Sequence, residues 1–236
     1  MSRRDLVQLL LLSAVWGASF ILIEIAGRSF PPVWVALLRL TFGATFLWAV
    51  LKLKGRSLPP GRLIVPLLLV ALFNNAIPFT LFALGERTVP SSIAAVLNAT
   101  TPIWALLLTM AVQSTKPNRF TIAGVLLGFS GVMIVVFSHG NDSVGYGHAA
   151  PFFRGVFFIA LASLGYAIAT VIAKIKLKGL DPIGLATTQL SLAWIMLFPL
   201  AIFGPHPDAI HRNSVLAVIV LESRAAVSPT CSTTTC

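Results

Sequence analysis

Apolar residues in this chain fall into long runs separated by short polar or proline-bearing breaks. Seven runs are long enough to cross a bilayer, at about residues 6–26, 33–51, 63–84, 90–112, 120–137, 153–173 and 183–203. A hydrocarbon core about 30 Å thick needs roughly 20 predominantly apolar residues in helical form. An eighth run starts at Ser214 and fades after Leu221. The strict alternation that marks the strands of a membrane barrel is absent. The breaks carry turn chemistry: Phe30-Pro31-Pro32, the stretch Lys54–Gly61 with its paired prolines, Lys116-Pro117-Asn118, and a polar Gly/His/Asn/Asp stretch over 139–150. The pattern predicts an all-α fold, a polytopic transmembrane helix bundle.

Composition narrows the class further. Hydrophobic residues make up 57% of the 236 and charged residues 10%, where soluble domains carry about 25% charged residues. The net charge of +10 would suit nucleic acid, but the basic residues sit between apolar runs. That placement fits loops facing anionic lipid, so nucleic acid is not an expected partner. Both cysteines, Cys231 and Cys236, lie in the last six residues and organise no disulfide framework. The first run is too long for a signal-peptide core, and Glu24 falls where a cleavage region should be small and neutral.

Orientation follows from the short loops. With the N-terminus in the cytoplasm, Arg3, Arg4, Lys52, Lys54, Arg56, Arg62, Lys116, Arg119, Lys174, Lys176 and Lys178 lie inside, and Arg28, Arg87, Arg154 and Arg212 outside. The excess of basic residues on one side predicts a cytoplasmic amino end. Single cysteines at positions 54 and 116 should then resist an impermeant thiol reagent in intact cells, and one at Ser143 should label. The reverse labelling pattern would overturn the orientation.

The chain also repeats itself. A shift of 150 residues lays the first run on the sixth and the second on the seventh, with Pro32 meeting Pro182, Ser13 meeting Ser163 and Arg62 meeting Arg212. Apolar coincidences are cheap between membrane helices, but the proline opening the second helix of each half is not. A unit of five spans is odd, so its second copy must cross the bilayer in the opposite sense. Inverted repeats recur in transporters because two exchangeable half-arrangements give alternating access to one central site. The expected organisation is a first five-helix unit at 1–138, an outer loop at 139–152, an incomplete second unit at 153–221 and an aberrant polar tail at 222–236.

Several motifs carry a resemblance to a known family. They are Trp16-Gly17-Ala18-Ser19-Phe20, Leu38-Arg39-Leu40, Ala83-Leu84 through Pro90-Ser91-Ser92-Ile93-Ala94-Ala95-Val96-Leu97, Pro102-Ile103-Trp104-Ala105, and Gly124, Gly128, Gly131 and Val132. In order and spacing the chain resembles the EamA-like ten-helix transporters of the drug/metabolite transporter superfamily, over about residues 6–221. In the second half Tyr166-Ala167 stands in for the Trp-Gly pair. The resemblance implies secondary export or exchange of small metabolites, amino acids or drugs without ATP hydrolysis, at the cell (inner or plasma) membrane. It implies a small-molecule substrate, a lipid environment and no cofactor, and is compatible with a homodimer. Two departures stand out: Glu24 occupies a first-helix position often basic in such proteins, and the last three helices of the second unit are missing. The polar tail after Leu221 reads as a truncated or frameshifted end, which would leave this chain inactive by itself.

Candidate binding residues are the polar and aromatic groups at membrane depth. Arg39 is the sharpest, since a charge near mid-span costs roughly 3 kcal/mol and should face a cavity, a partner or a substrate; its alternative is snorkelling to the interface. Glu24 could pair with Arg39 or take up a proton, or be an interfacial carboxylate. Asn74, Asn75, Asn98 and Thr101 could bind ligands or join helices. Pro102 frees a backbone carbonyl one turn earlier, which raises the fourth helix as a cavity wall. Of the five tryptophans, Trp16, Trp34, Trp48, Trp104 and Trp194, those near span ends read as interfacial belt residues, whereas Trp16 and Trp104, deeper in their runs, could line a pocket. Gln189 is the repeat counterpart of Arg39. Glu86 and Arg87 read as loop charges, and Gly124 with Gly128 as a small-xxx-small packing pair.

No zinc-binding His-Glu-x-x-His, nucleophile elbow or phosphate-cradling loop is present, so an enzyme is not expected. His206, Asp208 and His211 form the only metal-like cluster, in a proline-bearing loop, and read as solvated loop residues. The rival to a carrier is a membrane-embedded structural or assembly protein without transport activity.

Overall fold

The computed structural model describes residues 6, 19–113, 117–145, 149–207 and 216–217. Trp16, the basic residues Arg3, Arg4 and Lys116, the loop residues Asp208 and His211, and the tail at 222–236 lie outside the described residues, as does most of the eighth run. Among the described residues every element is helical. The helices are α1 (19–27), α2 (Pro32–Leu53), α3 (Ile64–Ala71), α4 (Ile77–Gly85), α5 (Ser91–Asn98), α6 (Thr101–Gln113), α7 (Arg119–Gly145), α8 (Ala149–Lys176) and α9 (Pro182–Phe203). Six helical stretches among them are long and apolar enough to cross a membrane. The chain is a polytopic helical membrane bundle.

Prolines explain where the long runs break. The third run is one stretch, Gly61–Gly85, but between α3 and α4 it passes through a π-helical turn at Leu72–Ala76. There the Ile77 N–H bonds to the Leu72 carbonyl, five residues back. Pro78 has no N–H for the Asn74 carbonyl and its ring would crowd that oxygen, and a widened turn relieves both. The fourth run is split by Ala99 and Thr100 into α5 and α6, because Pro102 has no N–H for the Asn98 carbonyl. The polar stretch at 139–152 is itself largely helical among the described residues. The membrane-length part of α7 ends at His139, but no proline follows until Pro151 and the helix continues through the polar stretch to Gly145. Helix α8 has already begun at Ala149.

Helices α2 and α9 are each 22 residues long, each opens on proline, and they are offset by the same 150 positions found in the sequence. They pack antiparallel, as three indole hydrogen bonds show. Trp34 Nε1 donates to the Pro205 carbonyl (3.1 Å), Trp194 Nε1 to Thr41 Oγ1 (2.9 Å) and Trp48 Nε1 to Ser191 Oγ (3.0 Å). As numbers rise along α2 their partners fall along α9. The end of α2 therefore meets the start of α9, where Arg56 pairs with Asp181 at 3.4 Å. Asp181 also caps α9 by accepting the Gly184 N–H at 2.8 Å. Gly55 (φ 58°) and Gly179 (φ 81°) turn the two adjoining loops through left-handed backbone. The basic loops after α2 and after α8 thus share one end of the bundle.

Helix α8 packs closest against α4. A Cβ on Gly85 would meet Ile159 Cγ1 at 2.5 Å and the Gly155 carbonyl at 2.9 Å, and one on Gly155 would meet Thr88 Oγ1, Val89 Cγ2 and the Gly85 carbonyl. Further along α8, a Cβ on Gly165 would press on the Phe73 carbonyl inside the π turn at 3.1 Å. Of the expected packing pair, a Cβ on Gly128 would meet Ile103 Cδ1 of α6 at 2.9 Å, whereas Gly124 has nothing within 4 Å of its Cβ position among the described residues. Around the α4–α8 contact, Phe20, Phe82, Val89, Ile93, Leu97 and Ile159 form a buried core. Helix α7 lies at the periphery, with only 6% of its membrane-length window buried.

Candidate functional site

Two polar clusters sit where the helices break. The first surrounds Arg39, carried into the bundle by the proline-started α2. Its guanidinium lies 3.9 Å from the centroid of the Phe79 ring, just past Pro78 on α4. With Ser19, Phe20, Ile23, Phe82, Asn98 and Tyr166 it lines a cavity of about 20 Å³. The aromatic wall is continuous, since Phe82 packs against Phe20 at 5.5 Å and against Tyr166 at 6.0 Å. An arginine over an aromatic face gains about 0.5–2 kcal/mol, which offsets part of its cost at membrane depth. Arg39 therefore faces the Phe79 ring and the cavity. The cavity, at about 20 Å³, exceeds the 10–15 Å³ a single water needs and is far too small for a metabolite.

The second cluster belongs to the π turn. Asn74 Nδ2 donates to Gln189 Oε1 on α9 at 3.3 Å. Its neighbour Asn75 is 3% exposed, and its Nδ2 has no hydrogen-bond partner among the described residues. Successive asparagines thus face different parts of the bundle. At the α5–α6 break the Leu97 carbonyl accepts from Thr100 Oγ1 (2.6 Å) and from Ser163 Oγ on α8 (3.2 Å). Trp104 Nε1 donates to Thr100 Oγ1 at 3.1 Å, and its ring meets Phe129 on α7 edge-on. Thr101 Oγ1 lies 3.5 Å from Asn98 Oδ1, and Pro102 is exposed.

A larger cleft of about 310 Å³ opens at the end of the bundle opposite the Arg56–Asp181 pair. Ile23, Glu24, Gly27, Arg28, Ala83, Glu86 and Arg87 line it. Ile23 borders both this cleft and the Arg39 cavity. Glu24 pairs with Arg28 at 3.3 Å, one helical turn on. Glu86, read from the sequence as a loop charge, is instead 7% exposed, and neither carboxylate oxygen has a hydrogen-bond partner among the described residues. It is the first residue past the Gly61–Gly85 span. Burial pushes its carboxyl up to about 9; the Arg39 charge pulls it down and the Glu24 carboxylate pushes it up.

The structure thus gathers Arg39 and Asn98 around one cavity, places Glu24 in the neighbouring cleft, and joins Asn74 to Gln189 elsewhere. Thr101, Pro102 and Trp104 line neither space, so of the fourth run only the α5 side forms a wall. Sequence reasoning missed Glu86, Phe79 and Tyr166. For Tyr166 a signal existed, because the shift of 150 places it opposite Trp16. Among the described residues no group of His, Cys, Asp or Glu could hold a metal ion.

Fold and site together define a multi-pass membrane protein whose helices break around a small, arginine-containing cavity. The chain belongs to the EamA-like transporter family, which matches residues 6–137 and again 153–228. Among its relatives, Protein PagO of Salmonella typhimurium is 26% identical over 92% of this chain and 71% of its own length. The uncharacterized inner membrane transporter YedA of Escherichia coli is 30% identical over 66% of this chain, and the match spans about half (49%) of YedA. An uncharacterized transporter of Buchnera aphidicola is 26% identical over 94% of this chain and 73% of its own. A crystal structure 19% identical in sequence superposes with a TM-score of 0.65 over 96% of this chain and 77% of the other, which speaks for the fold. The family and the relatives' names point to a transporter rather than an enzyme.

Proposed function

We propose that the protein is a secondary carrier that exports small organic metabolites, amino acids or drugs across the inner membrane by alternating access. The observation that carries this reading is Arg39, held against Phe79 and beside Asn98 and Tyr166 in a cavity of about 20 Å³. A guanidinium so placed suits a solute bearing a carboxylate or another acceptor, and a cavity that admits one water must open to admit such a solute. Two inverted units supply the motion. Support comes from the two stretches matched by the family and from the matched pair α2 and α9, which cross antiparallel. On this reading the amino end is cytoplasmic, and the unit that starts at residue 153 moves against the first.

The test is counterflow in proteoliposomes containing the full gene product, with radiolabelled pools of amino acids and of organic acids and no ATP. Accumulation of label against a preloaded pool is expected. Folded protein that moves no pool faster than empty liposomes, or that requires ATP, would sink the carrier reading.

A further inference from the structure

Glu86 combines three properties rarely found together: its carboxyl is buried, it lacks a hydrogen-bond partner among the described residues, and its side chain borders a cleft wide enough for water. An ionised carboxylate held this way would be a buried charge without compensation, which is strongly unfavourable. A carboxylic acid held this way is not. Charged or titratable groups lie on most of the elements around it. Helix α1 contributes Glu24 and the turn after it Arg28, α2 contributes Arg39, and Arg87 follows on its own loop. Helix α8 carries Arg154 beside the Gly155 contact and Tyr166 at the Arg39 cavity. Ser91–Asn98 of α5 holds no titratable side chain.

Three guanidinium groups, those of Arg28, Arg39 and Arg87, make this a poor place for a metal cation. The other acid in the cleft, Glu24, is already paired with Arg28. A proton is the one cation that needs a single oxygen and no additional space. We propose that Glu86 is a proton-binding site that exchanges its proton through the Glu24/Arg28/Arg87 cleft and couples solute movement to the proton gradient. The coupling half rests on the carrier reading; the binding half does not.

In the step itself the O–H bond of the Glu86 carboxyl breaks, the proton passes to cleft water, and a carboxylate remains. The Arg39 charge, which already acts on this carboxyl, becomes its counter-charge. A solute anion in the Arg39 cavity would compete for that same charge, so a bound proton and a bound anion favour one another and leave together when the solute gradient drives export. Folding shows the corresponding linkage. Between the ordinary carboxylate range and about 9 the folded chain holds a proton that the unfolded chain has released, so stability falls as pH rises through that window.

The binding half is tested on the purified chain in lipid nanodiscs, by following the infrared carbonyl band of protonated carboxyl groups during a pH titration. The wild type should show a band at neutral pH that fades as the pH approaches about 9 and shifts on exchange into heavy water. Glu86→Gln should remove that band, and Glu86→Asp should keep it with a displaced midpoint. Identical spectra for wild type and both variants would overturn the site. The coupling half is read with a pH dye sealed inside proteoliposomes of the full gene product, using whichever labelled pool shows counterflow. Addition of that pool should change the internal pH in the wild type, and Glu86→Gln should lose the change. Wild-type counterflow with no pH change overturns the coupling and leaves the carrier standing. Absence of counterflow sinks the carrier, while the infrared band still decides the proton site.

Discussion

Replacing Arg39 by alanine in the full gene product is expected to abolish solute counterflow while leaving membrane insertion intact. The charge is costly within a span, roughly 3 kcal/mol, so removing it makes insertion easier. What is lost is the charged donor of the cavity. A hydrogen bond to a charged group contributes about 1.5–3 kcal/mol, on the order of ten- to a hundredfold in affinity. Arg39→Lys should keep part of the activity, because the charge survives without the planar fork or the full contact with the Phe79 face. Counterflow rates should be normalised to the amount of inserted protein. Wild-type rates in Arg39→Ala would show that the cavity is not where solute binds.

A methyl group placed between α4 and α8 should have the largest effect on stability. In Gly155→Ala the new Cβ would lie 2.6 Å from Val89 Cγ2 and 2.8 Å from the Gly85 carbonyl, besides meeting Thr88 Oγ1. One of these neighbours is backbone, so the helices must separate, at a cost of about 1–3 kcal/mol or more. Gly124→Ala is the matched control, since among the described residues nothing lies within 4 Å of that Cβ position. Thermal denaturation and size-exclusion profiles in mild detergent should show Gly155→Ala unfolding earlier or aggregating and Gly124→Ala unchanged. Equal stability of the two variants would mean that the α4–α8 contact yields easily. Because Tyr166 rides on α8, separating these helices would also loosen the Arg39 cavity.

The bundle was legible in the sequence because membrane spans are written in composition, and six of the seven expected runs have membrane-length helices at nearly the expected bounds. The breaks were partly legible. Pro102 announced the split between α5 and α6, but the π turn depends on where Pro78 falls within a run that otherwise reads as one apolar helix. The partners of side chains were not legible at all. Trp34, Trp48 and Trp194 resemble belt residues one at a time, and only the antiparallel meeting of α2 with α9 turns their indole N–H groups into cross-links. Small residues were ambiguous for a similar reason. Gly124 and Gly128 have the spacing of a packing motif, yet the close approach falls at Gly85 and Gly155, which lie far apart in sequence. Glu86 was misread because its burial comes from neighbours distant along the chain, and a charge just past an apolar run looks solvated until those neighbours are in place.

Helix α7 has a mechanical consequence of its own. Its membrane-length part, Arg119–His139, holds 21 residues, about 31 Å at the helical rise and a close match to a hydrocarbon core of about 30 Å. Little of that surface is held by the rest of the bundle, so the acyl chains around it supply most of its apolar surroundings. A thinner bilayer costs fractions of a kcal/mol for each ångström of mismatch, and α7 can relieve that load by tilting while α2, α4, α8 and α9 keep their mutual packing. Bilayer thickness therefore acts on this molecule first as a force on one peripheral helix, and Val132, Val135 and Val136 carry it to the core that holds Phe20 and Phe82 of the cavity wall.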